Sequence, residues 1–226
     1  MKKYKIIFID IDNTLLDFNA CAKQAMMESA KEMNISLPDD ILTTFLPINN
    51  SLWAKIEQGT LTLDELHKVR WNMVFSALGI SGDGPSFEKL FKKNLFYTAV
   101  KVDGAKELLE YLSKKYIVCA ASNGPYEQQE YRLKKAGLLE YVSKIFVSER
   151  AKVSKPSKLF FDYCFENLKG FKPEDALMLG DSISADIIGA KNYGMDTCWF
   201  DYYATDHSSP FADYKITNLL DIKNIL

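Results

Sequence analysis

Asp10 and Asp12 close the first hydrophobic run of the chain, in the segment Phe8-Ile9-Asp10-Ile11-Asp12-Asn13-Thr14-Leu15-Leu16. The apolar residues from Tyr4 to Ile9 read as a buried parallel strand, and charge clustered at the end of such a strand costs stability. Two like charges so close need a cation or a bound proton. The C-terminal ends of parallel strands are also where α/β folds place their ligands. The segment therefore predicts an anionic site suited to a metal ion.

Three more predicted strand ends carry polar groups. Ser122-Asn123-Gly124 follows Cys119-Ala120-Ala121, and Ser148-Glu149 leads on to Lys155-Pro156. Gly180-Asp181-Ser182 follows Ala176 to Leu179, with Asp186 a few residues on. Each alone has a bland reading: a turn, a solvated lysine, a helix cap. Four in order at strand ends converge on one edge of a doubly wound sheet.

The elements that must hold these groups alternate. Helices are predicted from Asp103-Gly104, from Pro125 to Ala136, from Pro156 and over Ile183 to Tyr193. Strands are predicted at Tyr116 to Ala121, Ile145 to Val147, Ala176 to Leu179 and Met195 to Phe200, with Ile216 beginning a short edge element. This rhythm predicts an α/β fold with a parallel sheet and right-handed crossovers. Between Asn19 and Tyr97 the pattern is helical throughout: Leu66, Val69, Met73, Ala77 and Leu78 recur at helical spacing. Ser81-Gly82-Asp83-Gly84-Pro85 reads as a loop. The predicted architecture is a Rossmann-like doubly wound core, residues 1–16 and 98–226, with an inserted all-helical cap, 17–97.

These motifs resemble the haloacid dehalogenase-like superfamily, mostly phosphohydrolases: Asp10-x-Asp12-x-Thr14, Ser122, Lys155-Pro156 and Gly180-Asp181 with Asp186 match its four motifs in order. Leu52-Trp53, Gly59-Thr60-Leu61-Thr62, Ser122-Asn123-Gly124 and Thr197-Cys198-Trp199 resemble the small pyrimidine 5′-nucleotidases within it. Many relatives have a glycine where this chain has Lys152, which leaves two lysines near the third motif. Lys155 is favoured because it precedes the proline.

The resemblance implies a Mg²⁺-dependent phosphomonoesterase with Asp10 as the nucleophile that becomes an aspartyl-phosphate. It implies a metal held by Asp10, by the backbone carbonyl of Asp12 and by Asp181, with Asp186 acting through water or toward Lys155. Asp12 would serve as acid and then base. Its spacing from Asp10 on an extended strand would turn both carboxylates to one side. Ser122 and Lys155 would bind phosphoryl oxygens, with Thr14 and the amides of Asn123 and Gly124 nearby. In the cap, Trp53 would stack on a base and Asn49 or Asn50 would read its edge, while Arg70 either closes the cap over the core or is solvated. The implied substrate is a nucleoside 5′-monophosphate. The alternatives are a sugar phosphomutase, a sugar-phosphate phosphatase, or a non-catalytic binding protein on the same fold.

Bulk properties agree with a soluble enzyme. The chain has 226 residues, 47% hydrophobic and 26% charged, with net charge -2. That balance offers no broad basic face for nucleic acid or anionic lipid. Lys2-Lys3 runs into a short strand rather than a secretory leader, and no apolar run is long enough to span a membrane. Cys21, Cys119, Cys164 and Cys198 lack metal-ligand spacing and read as reduced core thiols of a cytoplasmic protein. His67 and His207 read as polar packing or surface residues. A monomer or weak oligomer is expected.

Overall fold

A computed structural model describes residues 4–204 and 210–226. Lys2, Lys3 and His207 lie outside the described residues. In chain order the elements are β1 (Ile6–Ile9), α1 (Phe18–Glu32), α2 (Leu42–Glu57), α3 (Leu63–Leu78), α4 (Gly84–Phe96), α5 (Ala105–Ser113) and β2 (Ile117–Ser122). There follow α6 (Tyr126–Lys135), β3 (Lys144–Val147), α7 (Ser148–Ala151), α8 (Lys158–Glu166), β4 (Ala176–Gly180), a π-helical turn (Ile183–Ile188), α9 (Gly189–Tyr193), β5 (Asp196–Phe200) and β6 (Tyr214–Ile216). Contacts divide the chain into two units, Met1–Asp17 with Ala99–Leu226, and Phe18–Thr98.

In the first unit the strands pair in the order β3-β2-β1-β4-β5-β6, all parallel. The order reverses between β1 and β4, the point at which such sheets bind ligands. Burial on both faces explains the uninterrupted apolar runs. Ile7 and Ile9 pack with Leu108, Leu109 and Leu133 on one face. Ile6 and Phe8 pack with Phe160, Phe161 and Cys164 on the other. Helices thus cover both sides, as a doubly wound sheet requires. The Asp17 amide donates to the Val100 carbonyl at 2.9 Å, closing the core behind the insertion point.

The second unit is helical. Thr62 and Glu65 form a reciprocal capping box at the start of α3. Trp71 lies at the centre of its core with Phe45, Phe75, Phe87 and Phe91 around it; the Trp71 and Phe87 ring centroids are 4.1 Å apart. The face that α3 buries differs from the stripe expected from its spacing. Leu66, Arg70, Trp71, Val74 and Phe75 are buried, whereas Val69, Met73 and Ala77 are exposed. Trp71 and Phe75 supply more apolar area than Val69 and Met73, and they win the core.

Other boundaries moved modestly. Gly84 and Pro85 belong to the first turn of α4, where proline is tolerated. α8 starts at Lys158 on a Ser157 cap, not at Pro156. α7 intervenes before it, and the helix expected from Ile183 is a π-helical turn followed by α9. β6 ends rather than begins at Ile216. All four cysteines are buried and free. Among the described residues no helix is long and apolar enough to cross a membrane.

Candidate active site

Lys155 organises the floor of the site. Its Nζ donates to Asp10 Oδ1 at 2.7 Å, Asp186 Oδ1 at 2.5 Å and the Ala121 carbonyl at 2.7 Å. The ammonium has three hydrogens, and all three are taken. The side chain is nearly inaccessible, at 2%. Its main chain is gripped too: Asn123 Oδ1 accepts the Lys155 amide at 2.8 Å, and Asn123 Nδ2 donates to the Lys155 carbonyl at 3.1 Å. The Lys155–Pro156 peptide is cis. Desolvation alone would lower the Lys155 pKa, but Asp10 and Asp186 outweigh it and raise it. The hydrogens of Lys155 thus serve Asp10, Asp186 and the backbone, and its charge lies against the carboxyl of Asp10. Lys152 is exposed and caps α7 in a left-handed conformation (φ 62°), where glycine would sit without strain.

Carboxylates crowd this lysine. Asp10, Asp181 and Asp186 each offer an oxygen within 4.8 Å of the others. Desolvation pushes the Asp10 carboxyl up to about 7; Lys155 opposes that shift, while Asp186 and Asp12 add to it. Desolvation, then repulsion from Asp10 and Asp186, holds Asp181 well above its ordinary value. Three acids facing one ammonium leave a deficit of positive charge, and every free donor is a hard oxygen. These residues fit a small divalent cation such as Mg²⁺. The main chain of Asp181 is pinned by the indole of Trp199, whose Nε1 donates to its carbonyl at 2.9 Å.

Asp12 stands apart from that cluster. β1 ends at Ile9 and the chain turns, with Asn13 at φ 58°, so the two carboxylates find different partners. Arg132 Nη1 donates to Asp12 Oδ1 at 2.7 Å, and Gln129 Nε2 donates to Asp12 Oδ2 at 2.7 Å. The Asp12 side chain is not one of the three acids whose oxygens meet within 4.8 Å, though its charge still raises the pKa of Asp10 and Asp181. Gln129 and Arg132 are wholly buried on α6. Sequence reasoning missed both. The available signal was two long polar residues three apart on a helix that follows a site loop.

Three residues expected near the substrate are placed as follows. Thr14 is fully buried, and its Oγ1 meets no hydrogen-bond partner among the described residues, so it is enclosed in the turn. The Asn123 side chain bonds the Lys155 main chain, which fixes the loop that carries the Asn123 backbone amide. The Gly124 amide donates to Ser122 Oγ at 3.0 Å, not outward. In the cap unit, Asn49 is buried and its Oδ1 accepts from Arg70 Nη1 at 2.8 Å. Trp53 is half-buried on α2 and Asn50 is exposed. Arg70 is not solvated: it forms a two-pronged pair with Glu88 at 3.1 and 2.6 Å. His67 beside it is held neutral, its pKa lowered to about 4 by desolvation and by Lys92 and Arg70.

Gly180 shows how tightly the acids are packed. A Cβ there would stand 2.2 Å from Asp186 Oδ2. Gly180→Ala is thus expected to displace Asp186, lower stability by about 1–3 kcal/mol and reduce kcat. Thermal unfolding and steady-state kinetics of the variant check this.

The comparisons with known proteins agree with this geometry. The model of the haloacid dehalogenase-like hydrolase family matches residues 4–194. The HAD-hydrolase YfnB of Bacillus subtilis is 35% identical over 199 residues, covering 88% of this chain and 85% of that protein. A crystal structure of YfnB bound to magnesium superposes with a TM-score of 0.92 at 32% identity, covering 100% of this chain and 99% of the other. The pyrimidine 5′-nucleotidase PynA of Streptococcus pneumoniae is 32% identical over 230 residues, covering 99% and 97%. The glyceraldehyde 3-phosphate phosphatase of Pyrococcus furiosus is 30% identical over 240 residues, covering 100% and 94%. With a family match over most of its length and these groups at its strand ends, the chain belongs to the haloacid dehalogenase-like hydrolases and is a phosphoric monoester hydrolase.

Proposed function

We propose that the chain hydrolyses nucleoside 5′-monophosphates, pyrimidines above all, through a phosphorylated Asp10. The observation that carries the chemistry is the separation of two carboxylates two residues apart. Asp10 is buried on Lys155, while Asp12 is held by Gln129 and Arg132, so each can take a different role. A halide leaving group needs no proton donor, so the second aspartate supports phosphoryl transfer over dehalogenation.

In this reading the Asp10 oxygen not held by Lys155 bonds to phosphorus as the ester P–O bond breaks. The departing oxygen takes a proton from Asp12. The Asp12 carboxylate then takes a proton from the water that attacks the acyl phosphate, releasing inorganic phosphate and restoring Asp10. Ser122 binds a phosphoryl oxygen. Asp10, Asp181 and the Asp12 carbonyl would hold Mg²⁺, with Asp186 steadied by Lys155 and by the Ser182 amide at 3.1 Å. The cation would offset the charge of the substrate dianion.

The nucleotide assignment is supported by the full-length likeness to PynA, and the Pyrococcus phosphatase supports a sugar-phosphate reading as its rival. A panel of pyrimidine and purine 5′-monophosphates, glyceraldehyde 3-phosphate and p-nitrophenyl phosphate, assayed with Mg²⁺, separates them. Highest kcat/KM for a pyrimidine nucleotide is expected; preference for the triose phosphate would sink the nucleotide assignment and leave the phosphatase.

Trp53 and Asn49 stand as the base-recognising residues of the cap. Base stacking is worth about 1–3 kcal/mol, so Trp53→Ala is expected to lower kcat/KM for a pyrimidine nucleotide about tenfold to a hundredfold. The aryl phosphate, which has no base, should be nearly unaffected. Equal losses on both substrates with a lowered melting temperature would make Trp53 a packing residue.

A further inference from the structure

Arg132 carries hydrogen-bond donors and no acceptor. Its Nη1 reaches Asp12 Oδ1 at 2.7 Å and the Gln129 amide at 3.1 Å. The Gln129 atom it meets must therefore be oxygen, which fixes the orientation of that amide. Gln129 Nε2 then faces Asp12 Oδ2 at 2.7 Å and Ser122 Oγ at 2.8 Å, spending both its hydrogens. Ser122 Oγ also accepts the Gly124 amide at 3.0 Å. Both its lone pairs are filled, and only its own hydrogen remains. Among the described residues no acceptor takes that hydrogen. Space for the arrangement depends on Gly124, since a Cβ there would stand 2.5 Å from Gln129 Nε2.

We propose that Arg132 and Gln129 are positioning residues that lock the Asp12 carboxylate and force the Ser122 hydroxyl to act as a donor toward the phosphoryl group. The inference rests on the acid–base role given to Asp12 above. Polarity runs one way: Arg132 orients Gln129, and Gln129 orients both Asp12 and Ser122. No side chain in the relay needs to touch the substrate except the two it serves. A fixed donor direction removes the reorientation that a free hydroxyl would need as charge develops on the phosphoryl oxygens.

The test uses rapid-quench kinetics with p-nitrophenyl phosphate. Its leaving group departs without a proton donor, so phosphorylation of Asp10 asks little of Asp12, whereas hydrolysis of the phosphoenzyme needs Asp12 as base. Gln129→Met, unbranched and of similar length, is expected to keep a burst of about one product per enzyme and then turn over about a hundredfold more slowly, the scale of a misplaced catalytic group. Gly124→Ala, which crowds the same amide, should give the same signature should Gln129→Met fold poorly. A reduced burst with normal turnover per active site would report a folding role alone and overturn the proposal. So would wild-type turnover in the folded variants. Asp12→Asn is the control: if it also turns over normally, the acid–base reading fails, and if only Asp12→Asn is impaired, the relay alone fails.

Discussion

Asp10→Asn is expected to lower kcat by at least about 10⁴-fold while leaving the melting temperature at or above that of the wild type. An amide oxygen is a poor nucleophile, and losing a covalent nucleophile removes an interaction that no neighbour replaces. The fold should survive because Lys155 keeps Asp186 Oδ1 and the Ala121 carbonyl. The substitution also relieves a site in which Asp10 is driven up to about 7 by desolvation. Phosphate release by the folded variant at more than about a hundredth of the wild-type rate would rule out Asp10 as nucleophile.

Chelation of divalent cations is expected to abolish turnover, and Mg²⁺ is expected to raise the melting temperature more at pH 8 than at pH 5. Asp10 and Asp181 both bind protons more tightly in the folded chain than in the unfolded one. A carboxyl with a raised folded pKa supports the fold below its unfolded value, and that support is lost as pH rises through the folded value. For Asp10 the window therefore runs from about 4 to about 7. At pH 8 the metal-free acids repel one another, so a cation has most to neutralise there. Asp181→Asn should weaken the Mg²⁺-induced shift and slow the chemical step. An equal Mg²⁺ shift at both pH values, or full activity in excess chelator, would contradict this assignment.

The sheet was legible because a parallel strand buried on both faces must be continuously apolar, and a polar residue that ends such a run is conspicuous. Asp10, Ser122 and Asp181 all stood out that way. Lys155 was legible through its proline, but the commitment of its three hydrogens was not, since local sequence is silent on what an ammonium meets across the sheet. Gln129 and Arg132 were hidden for a related reason. A polar residue on a helix reads as solvent-facing unless its partner is known, and Asp12 lies more than a hundred residues away. On α3 the period was readable but the face was not. Val69 and Met73 compete with Trp71 and Phe75 for the interior, and ring packing across to Phe87 and Phe91 decides the contest. The π-helical turn at Ile183–Ile188 also escaped, because sequence periodicity over six residues cannot separate it from an α-helix.

The polar pairs that build the site join residues 145, 120 and 117 positions apart in sequence. Those pairs cannot form by local folding, whereas the contacts of Ser182 with Asp186 and of Gln129 with Ser122 lie close in sequence. Non-local pairings form late because chain closure must come first. A nascent or partly folded chain therefore carries the acids without the lysine and arginine that tame them, and stays inert. Only the finished sheet unites the four strand ends, so catalytic competence is a readout of completed topology.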